Sequence, residues 1–305
     1  METLARLAAL IFAGALNFAV VFAGAIGPAL AGGGPVAVGP QYQTTHVYVS
    51  PSDFDRFVAS LIATFGGSKS ARRVVQVTPM PSEAISQLVQ TPVGTFSVFG
   101  FRTPIPYPFG VERHGYLVND LDAAVTSAKN RGADIVVATF PDAVGRDAII
   151  EWPGGLHVQL YAHRQKPNYP ALATIPEEHV YVSAERSEPF VTAFKEFADG
   201  KVVSDDRAAP GVEIGRPNDA YRRIRIESEF GKLTVLVTDG QLPYPYGRED
   251  TGYEVANIED TLSKAEAADV RILVKPYIAS QRVAAILQFP GGYIAEIHSA
   301  APGSK

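Results

Sequence analysis

Residues 113–122 read RHGYLVNDLD, and residues 152–161 read WPGGLHVQLY. In the first stretch a short, mainly apolar segment leads to Asp120, a residue type that caps helices, and helical spacing of apolar residues begins at Leu121. In the second stretch a Pro-Gly-Gly turn leads into residues that alternate between the two faces of a strand. These stretches therefore predict a strand followed by a helix, and a turn followed by a strand.

Both stretches belong to a pattern that the chain repeats. The segment HVYVS occurs at 46–50 and again at 179–183, PYPFG at 106–110 returns as PYPYG at 243–247, and PGG occurs at 153–155 and at 290–292. A repeat of this length indicates a duplicated domain, because solenoid repeats are only about 20–50 residues long. Residues shared by the two copies are expected to serve the fold, whereas residues kept in one copy can serve a site.

Each copy contains a shorter pattern twice. A strand is followed by a helix, capped by Ser52-Asp53 in one case and by Asp120 in the next, and then by three further strands. The chain is therefore predicted to hold four β-α-β-β-β units in two pairs. The predicted boundaries are 43–165 for module 1 and 177–300 for module 2, with a proline-rich linker at 166–176.

The N-terminus has the composition of an export signal. Residues 7–31 contain no charged residue, Arg6 precedes them, and they end in Ala29-Leu30-Ala31. These features predict a signal peptide at 1–31 and a linker at 32–42. The same run could instead be retained as a membrane anchor, since about 20 apolar residues span a bilayer. The body of the protein is thus expected to be periplasmic or secreted, or membrane-anchored and facing outside the cytoplasm.

Composition excludes several classes of function. The net charge of −5 offers no basic surface for nucleic acid, so nucleic acid is not expected as a partner. The chain has no cysteine, which excludes thiolate zinc sites, iron–sulfur clusters and thiol nucleophiles. Any metal ion would have to be held by His, Asp, Glu, Gln or water.

Paired β-α-β-β-β units with these helix starts and a Pro-Gly-Gly turn before the last strand resemble the vicinal oxygen chelate superfamily. This superfamily includes glyoxalase I, methylmalonyl-CoA epimerase, extradiol dioxygenases and the fosfomycin and bleomycin resistance proteins. The segments at 113–122 and 152–161 carry the resemblance best, and it extends over both modules. It implies an α+β, glyoxalase-like fold in which four β-α-β-β-β units pair into two half-open barrel modules.

The resemblance also implies a divalent metal ion, Fe, Mn, Ni or Zn, inside a barrel. The matching ligand positions hold His46, His114 and Gln159 in the first copy and His179 and Glu296 in the second. Gln159 stands where the family usually has Glu, and Thr251 replaces the second histidine of the second copy. Two imidazoles and one carboxylate on one face leave metal positions open for substrate oxygens, which is the chemistry such a set would serve.

Further residues are expected near the substrate. Glu296 is the candidate catalytic base in the second cavity, and the side chains expected to line the cavities are Tyr48, Tyr116, His157 and Tyr161. A structural role is the alternative for His46 and His179, because both begin the same five-residue segment. For the tyrosines the alternative is packing.

Three functions remain open at this point. The first is an exported, metal-dependent enzyme of lyase or isomerase type that acts on a small substrate with vicinal oxygens. The second is a metal-free protein of the bleomycin-resistance type that binds a small molecule. The third is an extradiol-type ring-cleaving dioxygenase, whose usual ligand set Thr251 would interrupt. Both a monomer and a homodimer are compatible with tandem modules.

Overall fold

The computed structural model describes residues 36–303. The predicted signal peptide or anchor at 1–31 lies outside the described residues. Within residues 36–303, no helix is both long enough and apolar enough to cross a membrane. The described part of the predicted linker packs on the first module, where the Val38 N–H donates to the Leu117 carbonyl over 3.1 Å.

Four α-helices and two short 3-10 helices are present among the described residues. The α-helices are α1 Phe54–Phe65, α2 Leu121–Asn130, α3 Ala184–Ala198 and α4 Ile258–Ala267, and the 3-10 helices are Pro40–Tyr42 and Gly211–Ile214. The predicted cap of α2 is confirmed, because the Asp120 side chain accepts the Ala123 N–H over 3.0 Å. Asp53 precedes α1 without such a bond, and Ser183 likewise precedes α3 without one.

The first module is one curved sheet. Its strands are β1 Thr44–Tyr48, β2 Ser68–Lys69, β3 Arg73–Val75, β4 Ala84–Thr91, β5 Gly94–Phe101, β6 His114–Leu117, β7 Asp134–Pro141, β8 Gly145–Trp152 and β9 Leu156–His163. They lie in the order β2-β4-β5-β1-β6-β9-β8-β7, and β3 also pairs with β4. The pairs β1/β5 and β6/β9 are parallel, which requires the crossover that α1 and α2 provide.

The second module repeats this arrangement. Its strands are β10 Glu177–Val182, β11 Lys201–Pro210, β12 Ala220–Ser228, β13 Gly231–Val237, β14 Thr251–Glu254, β15 Arg271–Ala279, β16 Arg282–Gln288 and β17 Ile294–Ala300. Their order is β11-β12-β13-β10-β14-β17-β16-β15, with the same parallel and antiparallel central pairs. The predicted α+β fold of four β-α-β-β-β units in two half-barrel modules is confirmed.

The helices lie on the convex faces of the sheets, where the two modules share their hydrophobic cores. In one core Trp152 of the first module contacts Phe197 of the second, with ring centroids 5.0 Å apart. In the other core Phe96 contacts Tyr253 at 5.2 Å. Burying one large apolar side chain contributes about 1.5–3 kcal/mol, so these contacts hold residues 36–303 together as one compact unit. The concave faces of the sheets are left for the candidate sites.

Candidate functional site

Strand phase decides which residues face the concave side of the first sheet. Thr44 pairs with Gly115 and Thr45 pairs with His114 in the antiparallel β1/β6 ladder, and directly paired residues share a face. Thr44 and His46 line the concave cavity, so Gly115 also faces it. His114 therefore lies on the opposite, convex face.

The structure does not bring the three predicted ligands of the first module together. His46 and Gln159 line the same cavity, but His114 faces away from it. The expectation that His46 and His114 share a face must be corrected, because β6 is one residue out of phase with the predicted alignment. The residue of β6 that faces His46 is Gly115, which carries no side chain: a Cβ there would lie 2.4 Å from His46 Nε2.

His114 instead belongs to a buried polar group between the modules. Its Nδ1 lies 3.3 Å from Glu178 Oε1, and the Tyr116 hydroxyl donates to Glu178 Oε2 over 2.6 Å. Burial raises the pKa of Glu178 to about 8 and, together with the nearby His46 and Arg113, lowers the pKa of His114 to about 3. Tyr116 thus lies in the shared core and does not line a cavity, contrary to expectation.

The concave face of the first module encloses a cavity of about 310 Å³. Among the predicted site residues, His46, Tyr48, Gln159 and Tyr161 line it. Its other lining residues include the polar Gln87, Ser97 and Asp147 and the aromatic Phe99, Phe109 and Tyr169. His157 lies outside this lining and contacts Tyr107, whose hydroxyl is 3.1 Å from His157 Nε2. A volume of this size is in the range of small-ligand pockets, at about 300–1,000 Å³.

Glu112, which the sequence analysis missed, contacts two of the residues that line this cavity. It is completely buried, accepts a hydrogen bond from the Tyr48 hydroxyl, and has Oε1 3.5 Å from His46 Nδ1. The second copy repeats the arrangement, since the Tyr181 hydroxyl donates to the buried Glu249. Both carboxylates follow the Pro-Tyr-Pro turn at the same spacing, which is the signal that could have revealed them. Because both copies keep the pair, we assign it to the fold.

Asp147 is the other residue that the sequence analysis missed. Its side chain is 5% exposed and lines the cavity from β8. Burial, with the nearby Asp142, raises its pKa well above the usual range, and a hydrogen bond from Gln159 acts in the opposite direction. No repeated motif includes Asp147, so it is recognised only from its place in β8, where it pairs with Tyr161 of β9.

The concave face of the second module is filled by its own side chains. Arg282 donates to Glu177 Oε2 over 3.2 Å and lies 3.9 Å from Glu296 Oε1. Glu296 also contacts His298 at 3.0 Å. Glu177 contacts His179 at 3.5 Å and accepts a hydrogen bond from the Thr234 hydroxyl over 2.7 Å. The space left is about 20 Å³, which is room for about one water molecule.

The charges of this network compensate one another. Burial by itself would raise the pKa of Glu296, but the hydrogen bond from His298 and the nearby positive charges lower it below the usual value. Burial would likewise lower the pKa of His179, yet the hydrogen bond to Glu177 and the charge of Glu296 raise it to about 9. The structure therefore brings the predicted site residues His179 and Glu296 together, but as members of an ion network.

The donor sets do not fit the metal site that this fold implies. The first module offers one imidazole and one amide, with Gly115 at the third position. In the second module Gly252 is the corresponding residue: a Cβ there would lie 3.0 Å from His179 Nε2 and 3.2 Å from Glu296 Oε1. Thr251 pairs with Glu178, on the convex face, and the guanidinium of Arg282 is the cation beside the carboxylates. Within residues 36–303 no group of three His, Asp or Glu side chains is arranged to bind a metal ion.

Comparison with known proteins establishes the fold. No family model and no curated protein matches the chain by sequence. A mutant of 4-hydroxymandelate synthase from Streptomyces coelicolor is 13% identical, with a TM-score of 0.59 over 89% of this chain and 94% of that one. The 2,3-dioxygenase LapB from Pseudomonas sp. KL28 is 11% identical, with a TM-score of 0.53 over 88% and 93%.

A third similar structure is the Mn(II)-bound glyoxalase from Novosphingobium aromaticivorans, which is 13% identical, with a TM-score of 0.51 over 87% of this chain and 83% of that one. The chain shares with these proteins the glyoxalase-like fold that the sequence analysis predicted. At such low identity the likeness extends to the fold alone.

Proposed function

We propose that the first module binds a small organic molecule in its concave cavity and that this binding requires no metal ion. The contrast between the two concave faces is the observation that carries the proposal. One face encloses about 310 Å³ between aromatic and polar side chains, whereas the other retains about 20 Å³ around the ion network of Arg282. Only the first has room for a ligand.

The second module then acts as a structural partner. Its Glu177, Glu296 and Arg282 compensate one another, so they are not available to polarise a substrate. Its helix α3 packs against the convex face of the first module, where Phe194 contacts Trp152 with ring centroids 6.2 Å apart. The predicted role of Glu296 as a catalytic base is accordingly not retained in the proposal.

The lining of the first cavity suits a ligand with a flat apolar body and a polar group. Tyr48 and Phe99 stack with ring centroids 5.3 Å apart, and Tyr161 and Phe109 contribute further aromatic surface. Polar atoms of His46, Ser97 and Gln159 can position the ligand. This combination of apolar walls and a few polar groups is typical of small-molecule sites.

The experiment compares fragment binding to wild type, Ser97→Phe and Ser263→Phe by ligand-observed NMR. Ser97→Phe adds a ring to the cavity wall, whereas Ser263→Phe adds the same ring on the exposed side of α4. Fragments should bind wild type and Ser263→Phe equally, with or without EDTA, and should lose binding to Ser97→Phe.

Two results would contradict the proposal. Binding or turnover that appears only after loading with Fe, Mn, Ni or Zn, and disappears in Glu296→Ala, would favour the metal-dependent enzyme or the ring-cleaving dioxygenase. Equal fragment binding to Ser97→Phe and to wild type would place the ligand elsewhere.

We further propose that the protein acts outside the cytoplasm. This location is supported by the uncharged run at 7–31, by its end at Ala29-Leu30-Ala31, where small residues flank one larger residue, and by the absence of cysteine. N-terminal sequencing of the full chain after expression in a bacterium should find a new terminus near residue 32 in the periplasmic or secreted fraction. An intact terminus in the membrane fraction would indicate the anchor, and one in the cytoplasm would contradict the proposal.

A further inference from the structure

We propose that the cavity of the first module recognises a small organic cation and that the carboxylate of Asp147 binds its positive charge. The inference rests on the proposed function, because it names the chemical class of ligand that this cavity takes. The occupant would be an amine or quaternary ammonium compound with a compact apolar or aromatic body.

Asp147 is placed as a recognition group. It is buried in the wall of the cavity on β8, directly opposite Tyr161 of β9. The Gln159 side chain hydrogen-bonds to its carboxyl group, which orients the group without supplying a charge. Asp142 nearby adds negative potential, although its own carboxylate is already engaged by the backbone N–H groups of Val144 and Gly145.

No Lys or Arg pairs with Asp147 among residues 36–303, and this distinguishes it from the buried carboxylates of the second module. There Glu177 is paired with Arg282, and Glu213 is paired with Arg223. Arg73 also lines the first cavity, but it is exposed and forms no ion pair with Asp147. A buried carboxylate is costly unless it is paired with a positive charge. A cationic ligand would supply the positive charge that the protein itself does not place beside Asp147.

The aromatic lining favours the same class of ligand. Tyr48, Phe99, Tyr161 and Tyr169 all border the cavity, and the electron-rich face of an aromatic ring attracts a cation. Such an attraction is stronger where water is excluded. A carboxylate together with several rings thus selects a positive charge on an apolar body over a neutral or anionic analogue.

The test uses three molecules of nearly the same shape: phenethylamine, 2-phenylethanol and phenylacetate. Their dissociation constants would be measured by NMR titration with the full-length protein at neutral pH. We expect wild type to bind the amine about tenfold more tightly than the alcohol, since a charge-assisted hydrogen bond is stronger than a neutral one, and to bind the acid most weakly.

Asp147→Asn should remove this preference, so that the amine and the alcohol bind about equally. Asp134→Asn makes the same change of charge at an exposed position of β7 and should retain the preference. Thermal unfolding of both variants would confirm that they fold, and Asp147→Asn should be at least as stable as wild type, because an amide has no ionised form to bury.

The outcomes separate the two proposals. Binding of 2-phenylethanol as tight as that of phenethylamine, or an amine preference that survives in Asp147→Asn, would overturn the role of Asp147 while leaving the ligand cavity intact. Absence of binding for all three molecules, in a protein that binds other fragments in a manner sensitive to Ser97→Phe, would overturn the cationic class alone. Absence of all binding would count against both.

Discussion

Gly115 allows the two central strands of the first sheet to bring their side chains close together. The ring of His46 lies over its Cα, with Nε2 hydrogen-bonded to Thr44 Oγ1 at 3.1 Å. A Cβ at Gly115 would lie 2.7 Å from that same Oγ1 and even closer to the imidazole. The position therefore requires glycine for space, and it cannot supply a metal ligand.

We predict that Gly115→Ala destabilises the protein by about 1–3 kcal/mol, because the buried His46 and Thr44 would have to move. Gly252→Ala is the matched change in the second module, where the nearest atom would be 3.0 Å away, so its cost should be smaller. Urea unfolding of both variants measures the difference. Equal stability of Gly115→Ala and wild type would contradict the packing described for His46.

The buried pair of His114 and Glu178 makes stability depend on pH in two directions. The pKa of Glu178 is raised from 4.5 to about 8, so its contribution is complete below about pH 4.5 and is lost as the pH rises towards 8. The pKa of His114 is lowered from 6.5 to about 3, so its contribution is complete above about pH 6.5 and is lost as the pH falls towards 3. Between about pH 4.5 and 6.5 both contributions to stability change with pH in opposite directions, so they cancel.

We predict that Glu178→Gln removes the loss of stability on the alkaline side. The stability of wild type relative to the variant should fall by on the order of 2 kcal/mol between pH 5 and 8, because only wild type has a carboxyl group to ionise in the core. Chemical unfolding at several pH values measures this. Glu196→Gln, on the exposed side of α3, should show no such trend, and a flat difference for Glu178→Gln would refute the assignment.

At the scale of elements, the same strand arrangement supports two different interiors. In the first sheet β4, β5, β8 and β9 line an open cavity, whereas in the second sheet β10, β16 and β17 carry Glu177, Arg282 and Glu296 into the concave space. Arg282 is the central group, since it contacts both carboxylates and its side chain is only 22% exposed. The element pattern is shared, and individual side chains decide whether the barrel is open.

We predict that Arg282→Met lowers the free energy of unfolding by about 3–5 kcal/mol at neutral pH, because it leaves Glu177 and Glu296 buried without their cation. The deficit should shrink at acidic pH, where the unpaired carboxylates take up protons. Arg271→Met, at the exposed start of β15, should change stability by less than about 0.5 kcal/mol. A deficit that does not depend on pH would point to lost packing instead of unpaired charge.

At the scale of the whole molecule, the two modules are coupled through their convex faces. Each core combines the helix and strands of one unit from the first module with those of one unit from the second. Arg56 of α1 is also hydrogen-bonded to Asp269, beyond the end of α4, over 2.6 Å. Two sheets that share their cores in this way should unfold together.

We predict a single unfolding transition for the described body of the protein. Trp152 is the only tryptophan and lies between the modules, so its fluorescence should report the same midpoint as far-ultraviolet circular dichroism. Phe197→Ala, in the second module, should shift both midpoints by the same amount and cost about 3–5 kcal/mol. Val203→Ala, at an exposed position of β11, is the control; separate midpoints would show independent modules.

Much of the fold could be predicted from residues near one another in the chain. The order of strands and helices follows from hydrophobic alternation, the cap at Asp120 and the repeated turns, all of which act over a few residues. The repeat also made clear that the chain holds two copies of one unit. His46, Tyr48, Gln159 and Tyr161 could be assigned to one cavity, because their strands alternate regularly.

The sequence by itself determined the fold class and the duplication, because these depend on local patterns and on the comparison of one copy with the other. Only the tertiary structure decided which side chains meet. A shift of one residue in the phase of β6 turns His114 away from His46, and a single guanidinium closes the second barrel while the first stays open. Such outcomes depend on pairing between distant strands and on side-chain volume, neither of which is specified within any one segment.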